Sequence, residues 1–441
     1  MKRDVRTFEK AAAEAGKRCL KAKKPLVVNH FDADGLSAGA IACRALRKRN
    51  IVFEEATLTR SDSIGKWGAF KEIILCDLGG LEEPLAEAFP RAQIIAFDHH
   101  PPRTPLDGLP ENLIHVNPHF YGIDGASECS AATATYFGFR EKFAAELAVT
   151  GSVGDTQDFG PEGSLFGVNK IPVKEGERAR VIRTANSLKL GGAAWKPLDK
   201  LLSEAIVPAI PGFLGDRKAA AVFLWAHDLD KDAVYADLPE RKKNALRGLL
   251  SKRVGKAAGA PLFGEMYFFP KETDRLLSNA TEYASALNAC GRQDEARMAI
   301  QMCLGSKAAL AKAKKIVARH EELLAKELFF ARQKAADRGK FVLIDGRGKI
   351  RESSVGSVAG AFLASGLSAG KPVLSMASAP GQTKVSARAR KGSAYDFGKI
   401  LSKTAGSVGG SGGGHAVAAG ASVPKGREKE FLTAFAAGLD R

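Results

Sequence analysis

The chain has 441 residues, 45% hydrophobic and 26% charged, with a formal net charge of +17. At roughly 150 residues per domain this length predicts two or three domains with sizeable cores, and no apolar run approaches the ~20 residues that span a bilayer. Cys19, Cys43, Cys76, Cys129, Cys290 and Cys303 lie mostly among apolar neighbours without a CxxC pair. That pattern excludes a disulfide framework and a thiolate zinc site. Together with a charged start, MKRDVRTFEKAAAEAGKR, that lacks the apolar core of a secretory signal, it predicts a cytoplasmic protein.

The first 120 residues alternate apolar strands with helical stretches. In order they read PLVVNH (25–30), a helix from about Leu36 to Arg49, IVFEEAT (51–57), EIILCD (72–77), a helix near 81–88, QIIAFD (93–98) and LIHVN (113–117). This rhythm predicts an α/β domain with a doubly wound, mostly parallel sheet. The polar residues fall at strand ends: HFDAD (His30 to Asp34) after the first strand, Asp77 closing EIILCD, and DHH (Asp98 to His100) closing QIIAFD. Carboxyl ends of strands are where open α/β sheets place their sites. A fourth cluster, GDTQD (Asp155 to Asp158), follows the helical stretch EKFAAELAVTGSVG and can fold back onto the same rim.

Residues 170–300 read as mainly helical, with breaker-rich loops at PAIPGFLG (208–215) and GKAAGAPLFG (255–264). From Ser306 to Arg338 the chain is free of Gly and Pro, and Leu310, Ala313, Val317, Leu324, Leu328 and Ala331 recur at helical spacing. A continuous helix there would span roughly 45 to 50 Å and suits a rod joining two modules. After Gly339 a second α/β pattern follows: FVLID (341–345), a helix from about Ser354, PVLSM (372–376), TKVSARA (383–389), a helix near Phe397, the glycine run GSVGGSGGGH (406–415) and a helix from about Glu428. The predicted domains are therefore a catalytic core at 1–170, its helical extension at 171–304, a connecting helix at 305–338 and a smaller α/β domain at 339–441. Residues 331–441 carry 18 Lys and Arg against 7 Asp and Glu, which is +11 of the +17. Such a bias favours a polyanionic partner, since clustered cations displace counterions from phosphates.

Asp32, Asp34, Asp77, His99 and Asp155 offer four carboxylates and an imidazole, enough for two divalent cations if one Asp bridges. Mostly oxygen donors favour Mn²⁺ or Mg²⁺ over zinc. No Ser-His-Asp or Cys-His arrangement competes, so the expected chemistry is phosphate-ester hydrolysis. In the last module, GGSGGGH reads as a backbone nest cradling a phosphate, with His415 as a further donor. A strand over KVSARARK (384–391) would put Ser386, Arg388 and Arg390 on one face toward phosphates. LNACGR (287–292) reads as a helix C-terminus with Gly291 as cap and Arg292 solvated.

HFDADG, LCDLG, DHH and GDTQD in this order resemble the four motifs of the DHH phosphoesterase superfamily, and SARAR followed by GGSGGGHAVAAG resembles its DHHA1 module. LNACGR resembles the archaeal branch of RecJ-like single-strand nucleases. The resemblance implies two α/β domains facing a cleft and joined by a long helix. It implies Mn²⁺- or Mg²⁺-dependent exonuclease action on single-stranded DNA or RNA, releasing mononucleotides. On the same ground Asp32, Asp34, Asp77, His99 and Asp155 are metal ligands with Asp77 the bridge, and His100 contacts the scissile phosphate. His30 joins the ligand set, although it stands two residues before the first motif Asp where related phosphatases space a ligand histidine by four. Asp98 orients the site. Ser386, Arg388 and Gly412, Gly413, Gly414 and His415 grip a terminal phosphate or nucleotide, and Asn288 and Arg292 touch the nucleic-acid backbone. Two other roles are considered: a phosphatase of very short oligoribonucleotides or nucleoside bisphosphates, and a replication scaffold. An intact nuclease could also dock onto a replicative helicase assembly.

Overall fold

The computed structural model describes residues 3–58, 64–141, 144–254, 261–390 and 392–439. Most of the 255–264 loop and Lys391 of the KVSARARK segment lie outside them. The chain divides into two compact units, Met1–Gly191 with Phe263–Ala318, and Gly192–Leu262 with Arg319–Arg441. All six cysteines are free and buried.

The first unit opens with α1 (Val5–Cys19), β1 (Leu26–Asn29), α2 (Ala33–Lys48), β2 (Glu54–Thr57), β3 (Glu72–Cys76), α3 (Glu82–Ala88), β4 (Gln93–Phe97) and β5 (Leu113–Val116). The five strands form an entirely parallel sheet in the order β2-β1-β3-β4-β5. Branched apolar side chains fill β1, β3 and β4, whose residues are nearly all buried, as expected of strands covered on both faces. The chain runs from β1 outward to β2 and then returns to β3 on the other side. Such a reversal opens a crevice at the carboxyl ends of β1 and β3. β2 is shorter than the run IVFEEAT predicts, because the Ile51 N–H closes the end of α2 by donating to Leu46 O at 3.0 Å.

There follow α4 (Ala131–Phe139), α5 (Ala144–Gly154), α6 (Lys170–Arg178) and β6 (Arg183–Leu188). Residues of the second unit then form α7 (Leu198–Ser203), α8 (Arg217–Trp225) and α9 (Glu240–Val254). The first unit resumes with β7 (Phe263–Phe268), α10 (Ala280–Gly291) and α11 (Ala296–Cys303). β6 and β7 pair antiparallel from Arg183↔Phe268 to Leu188↔Phe263, a ribbon that the mainly helical reading of residues 170–300 did not include. The Gly- and Pro-free run folds as α12 (Lys307–Lys334), 28 residues and about 42 Å long. It stops short of Arg338, since residues 336 and 337 pair as a strand instead.

The second unit completes itself with β8 (Ala336–Asp337), β9 (Val342–Asp345), α13 (Val355–Ala364), β10 (Val373–Ala379), β11 (Gln382–Arg388), α14 (Phe397–Gly406), β12 (Ser411–His415), β13 (Ala418–Pro424) and α15 (Glu428–Gly438). The sheet order is β12-β13-β11-β10-β9-β8, with β9 and β10 parallel and the other pairs antiparallel. Alternation along the strands sends Leu374, Met376, Val385 and Ala387 to one face against Phe397, Phe431 and Phe435. Val342, Ile344, Val373 and Ala377 go to the other, against Val358 and Phe362 of α13 and Leu328 of α12.

Candidate active site

Strand ends and helix starts deliver the acidic clusters of the first unit to one place. Asp32 is the N-cap of α2, its carboxylate accepting from the Gly35 N–H at 3.0 Å. Asp34, within the first turn and 1% exposed, accepts from Ala131 N (2.8 Å) and Ala132 N (2.9 Å) at the start of α4. Two amides and the positive end of a helix dipole make a buried carboxylate tolerable there. Asp77 follows β3 in the left-handed region, φ +62, a conformation Asp tolerates better than most residues. Its N–H still continues the sheet by donating to Phe97 O at 3.0 Å.

The histidines complete two trios. His30 Nδ1 lies 2.9 Å from Asp32 Oδ2 and 3.5 Å from Asp77 Oδ2. His99 Nε2 lies 3.4 Å from Asp77 Oδ1 and 3.8 Å from both Asp34 Oδ2 and Asp155 Oδ2. His99 Nδ1 is 2.8 Å from the Gly125 carbonyl, which can only accept, so Nδ1 carries a proton and Nε2 is the nitrogen that faces the carboxylates, able to ligate a cation once it gives up its own proton. Asp77 therefore gives one oxygen to each trio, and its buried Oδ1 has no hydrogen-bond partner. A buried acceptor left unpaired is costly, and a cation would satisfy it. The donor set, oxygens with two imidazoles, fits Mn²⁺ or Mg²⁺.

Electrostatics give the same picture. Burial pushes the Asp34 carboxyl well up, and the neighbouring Asp77 charge adds to it; burial also raises Asp155. Burial alone would lower His30, but Asp32 and Asp77 outweigh it and carry His30 up to about 10. His99 is pushed well up, with Asp77, Asp34 and Asp155 overcoming its burial. Without cations, the site balances its negative charge with protons that metal ligation would displace.

Several organising residues have no signal in the sequence beyond ordinary polar character. Gln157, inside GDTQD, donates to Asp155 Oδ2 (2.8 Å) and to Gly125 O (2.9 Å), and so holds both a ligand and the carbonyl that orients His99. Asn169 donates to Gln157 Oε1 at 2.6 Å. Lys189, 4% exposed, ties the same loop by ion-pairing with Asp158 and donating to the carbonyls of Asp158 (2.7 Å) and Gly163 (2.8 Å). Asn288 Oδ1 accepts from Ala33 N at 3.0 Å, bracing the Asp32–Asp34 turn. Arg292 is the C-cap of α10 and half-buried, and Gly291 is its last helical residue, not its cap. Glycine is needed at 291 for proximity: a Cβ would stand 1.7 Å from Phe31 O.

His100 is half exposed and leans on Asp98, with Nδ1 at 2.9 Å from Oδ1 and its N–H at 3.1 Å from Oδ2. That leaves Nε2 as the ring nitrogen available to a phosphate.

In the second unit, Ser386 and Arg388 share one face of β11, beyond whose end Arg390 falls. Arg388 Nη1 donates to the carbonyls of Ala387 (2.9 Å) and Ala419 (3.4 Å). Burial lowers its pKa with no carboxylate among the described residues raising it. A partly buried guanidinium without an anion is poised to take a phosphate. Gly412, Gly413, Gly414 and His415 form the strand β12, paired with β13 from Ser411↔Ser422 to His415↔Ala418. This corrects the nest reading: AVAAGASV folds back on the glycines, so their backbone extends as an edge strand. Gly413 pairs with Gly420, which pairs with Ser386, a row across the sheet with little side-chain cover.

Residues 340–439 match the family model for the DHHA1 domain. The uncharacterized protein MJ0831 of Methanocaldococcus jannaschii is 28% identical over 427 residues, which cover 92% of this chain and 91% of that protein. The crystal structure of exonuclease RecJ bound to manganese superposes with a TM-score of 0.59 at 19% identity, covering 99% of this chain and 95% of that one. CDC45 from Entamoeba histolytica gives a TM-score of 0.67 at 10% identity, covering 99% of each chain.

Proposed function

We propose that this chain, whose residues 340–439 match the DHHA1 family model and whose fold is like that of RecJ, is a RecJ-like member of the DHH/DHHA1 superfamily and an Mn²⁺- or Mg²⁺-dependent exonuclease that degrades single-stranded DNA or RNA to mononucleotides. One observation carries the reading: the two Asp77 oxygens divide between the His30–Asp32 pair and the Asp34–His99–Asp155 trio at the sheet's crevice. His30, Asp32 and Asp77 would hold one cation, and Asp34, Asp77, His99 and Asp155 the other. When bound, the pair supplies Lewis-acid charge to the scissile phosphate and acidifies the attacking water. Asp34 stays fixed by the α4 amides, His99 keeps Nε2 turned inward through Gly125, and His100, steadied by Asp98, offers a donor to a phosphate oxygen. Ser386, Arg388 and the Gly412–His415 strand would bind phosphate within the second unit, while Asn288 and Arg292 would approach the strand's backbone. Because these are contacts to phosphates, binding should tolerate sequence and weaken with salt. Among the described residues no helix is long and apolar enough to cross a membrane.

The likeness in fold to CDC45 favours one second role, docking onto a replicative helicase assembly. A complete set of acids argues against scaffolding as the sole role. The small-substrate alternative is separated by length: with Mn²⁺ present, single strands from about 2 to about 40 nucleotides should all be shortened. Cleavage confined to oligomers of about two to five nucleotides would replace the exonuclease reading by an oligonucleotide phosphatase.

A further inference from the structure

The loop that carries Asp77 ends at a buried carboxyl. Glu82 opens α3, is 3% exposed, and its Oε1 meets no hydrogen-bond partner. The side chains nearest it, the Asp98 carboxylate and the His115 Nε2, are acceptors, and the backbone N–H groups of Gly80 and Glu82 turn toward the same carboxyl without closing a hydrogen bond on Oε1. Asp98 and His115 bring polar atoms within 4.8 Å of Glu82 and of each other. His115 Nε2, 3.9 Å from Glu82 Oε1, is already engaged by Asn117 Nδ2 at 3.2 Å. The Asn117 amide cannot be turned round, since its Oδ1 accepts from His119 N (3.0 Å) and its Nδ2 donates to His100 O (2.8 Å). An oxygen enclosed by acceptors is satisfied only if it carries hydrogen itself.

We propose that Glu82 is a neutral carboxylic acid whose O–H donates to Asp98, so that Glu82, Asp98 and His100 form a chain in which Glu82 is a positioning residue for His100. The inference rests on the reading of His100 as the group that faces phosphate. Asp98, 1% exposed, accepts from His100 through both oxygens, at 2.9 and 3.1 Å. A third donor from behind fixes the plane of that carboxylate, and with it the imidazole. The loop also presses on the ring directly: a Cβ at Gly79 would lie 2.4 Å from His100 Cγ. A cation among Glu82, Asp98 and His115 is disfavoured because the His115 lone pair is taken. Burial and the Asp98 charge push Glu82 up to about 8. His115 on β5, which burial keeps neutral, also faces it; Glu83 is its neighbour along α3, and the Arg103 guanidinium lies over Gly80 in the preceding loop.

A carboxyl raised in the folded state stabilises fully below its unfolded value near 4.5, and that contribution is lost as pH rises toward about 8. In the full chain with chelator, Tm of the wild type should therefore fall more steeply across this window than Tm of Glu82→Gln, whose amide keeps the donor without the proton. Glu82→Gln should also be the more stable of the two at the alkaline end. With Mn²⁺, Glu82→Ala should lower kcat at least about tenfold at unchanged Mn²⁺ affinity, and Glu82→Gln should recover most of it. Parallel pH curves for wild type and Glu82→Gln, full activity in Glu82→Ala, or loss of a bound metal in Glu82→Gln would each overturn the proposal. An inactive wild type would sink the hydrolytic reading instead, with the pH curves still deciding the state of Glu82.

Discussion

Asp77→Asn should lower kcat/KM on single strands by at least about a thousandfold, a loss of about 4 kcal/mol of transition-state stabilisation. Among the described residues Asp77 is the one carboxylate within reach of both histidine-led trios, Oδ2 at 3.5 Å from His30 and Oδ1 at 3.4 Å from His99. Asn keeps one acceptor and turns the other into a donor, so no anion remains to bridge two cations. The fold should survive, because Asn tolerates the left-handed backbone at φ +62 as well as Asp does. Removing the charge relieves Asp34 while weakening the hold on His30 and His99, so the metal-free variant should stay folded with a Tm close to that of the wild type. The check pairs kinetics with thermal shift. Mn²⁺ at about a hundred times its Kd should stabilise the wild type by about 2.7 kcal/mol through binding linkage, and Asp77→Asn should lose most of that gain. A variant that still hydrolyses at the wild-type rate would remove Asp77 from the metal site.

Arg388→Ala should raise KM about ten- to a hundredfold with kcat nearly unchanged, the worth of one charge-assisted phosphate contact, about 1.5 to 3 kcal/mol. Arg388 makes its hydrogen bonds to the carbonyls of Ala387 and Ala419, and its burial has no balancing carboxylate among the described residues. Truncation should therefore cost the free protein little and the complex much. Arg388→Lys should recover only part of the affinity, because an ammonium cannot hold a phosphate through two parallel bonds. The slope of log affinity against log salt should also shrink by about one phosphate contact. Equal KM in wild type and Arg388→Ala would take the phosphate role from this strand.

What the sequence made legible was local. Apolar runs ending in Asp at 77 and 98 marked both the strands and the edge of the sheet where acids collect, because strand period and strand end are written in consecutive residues. Pairings between distant segments were not legible. RTANSL and FGEMYF read as pieces of a helical region, and only their pairing across more than seventy intervening residues makes them β6 and β7. The glycine run looked like a phosphate loop until β13 folded beside it. Gly291 looked like a helix cap, while its reason is the carbonyl of Phe31. Gln157, Asn169, Lys189 and Glu82 are polar residues whose roles exist only through neighbours brought together by folding. Chemistry-bearing residues can thus be seen in a sequence sooner than the residues that aim them.

The account's central claim, metal-dependent cleavage of single strands at this carboxylate–histidine site, is tested most directly by digesting 5′- and 3′-labelled DNA and RNA strands with Mn²⁺, comparing wild type with Asp77→Asn. The predicted result is stepwise release of mononucleotides from one end of single strands, with duplex spared, abolished by chelator and by the substitution. Wild-type protein that releases nothing under Mn²⁺ or Mg²⁺, or release that persists in Asp77→Asn, would contradict it.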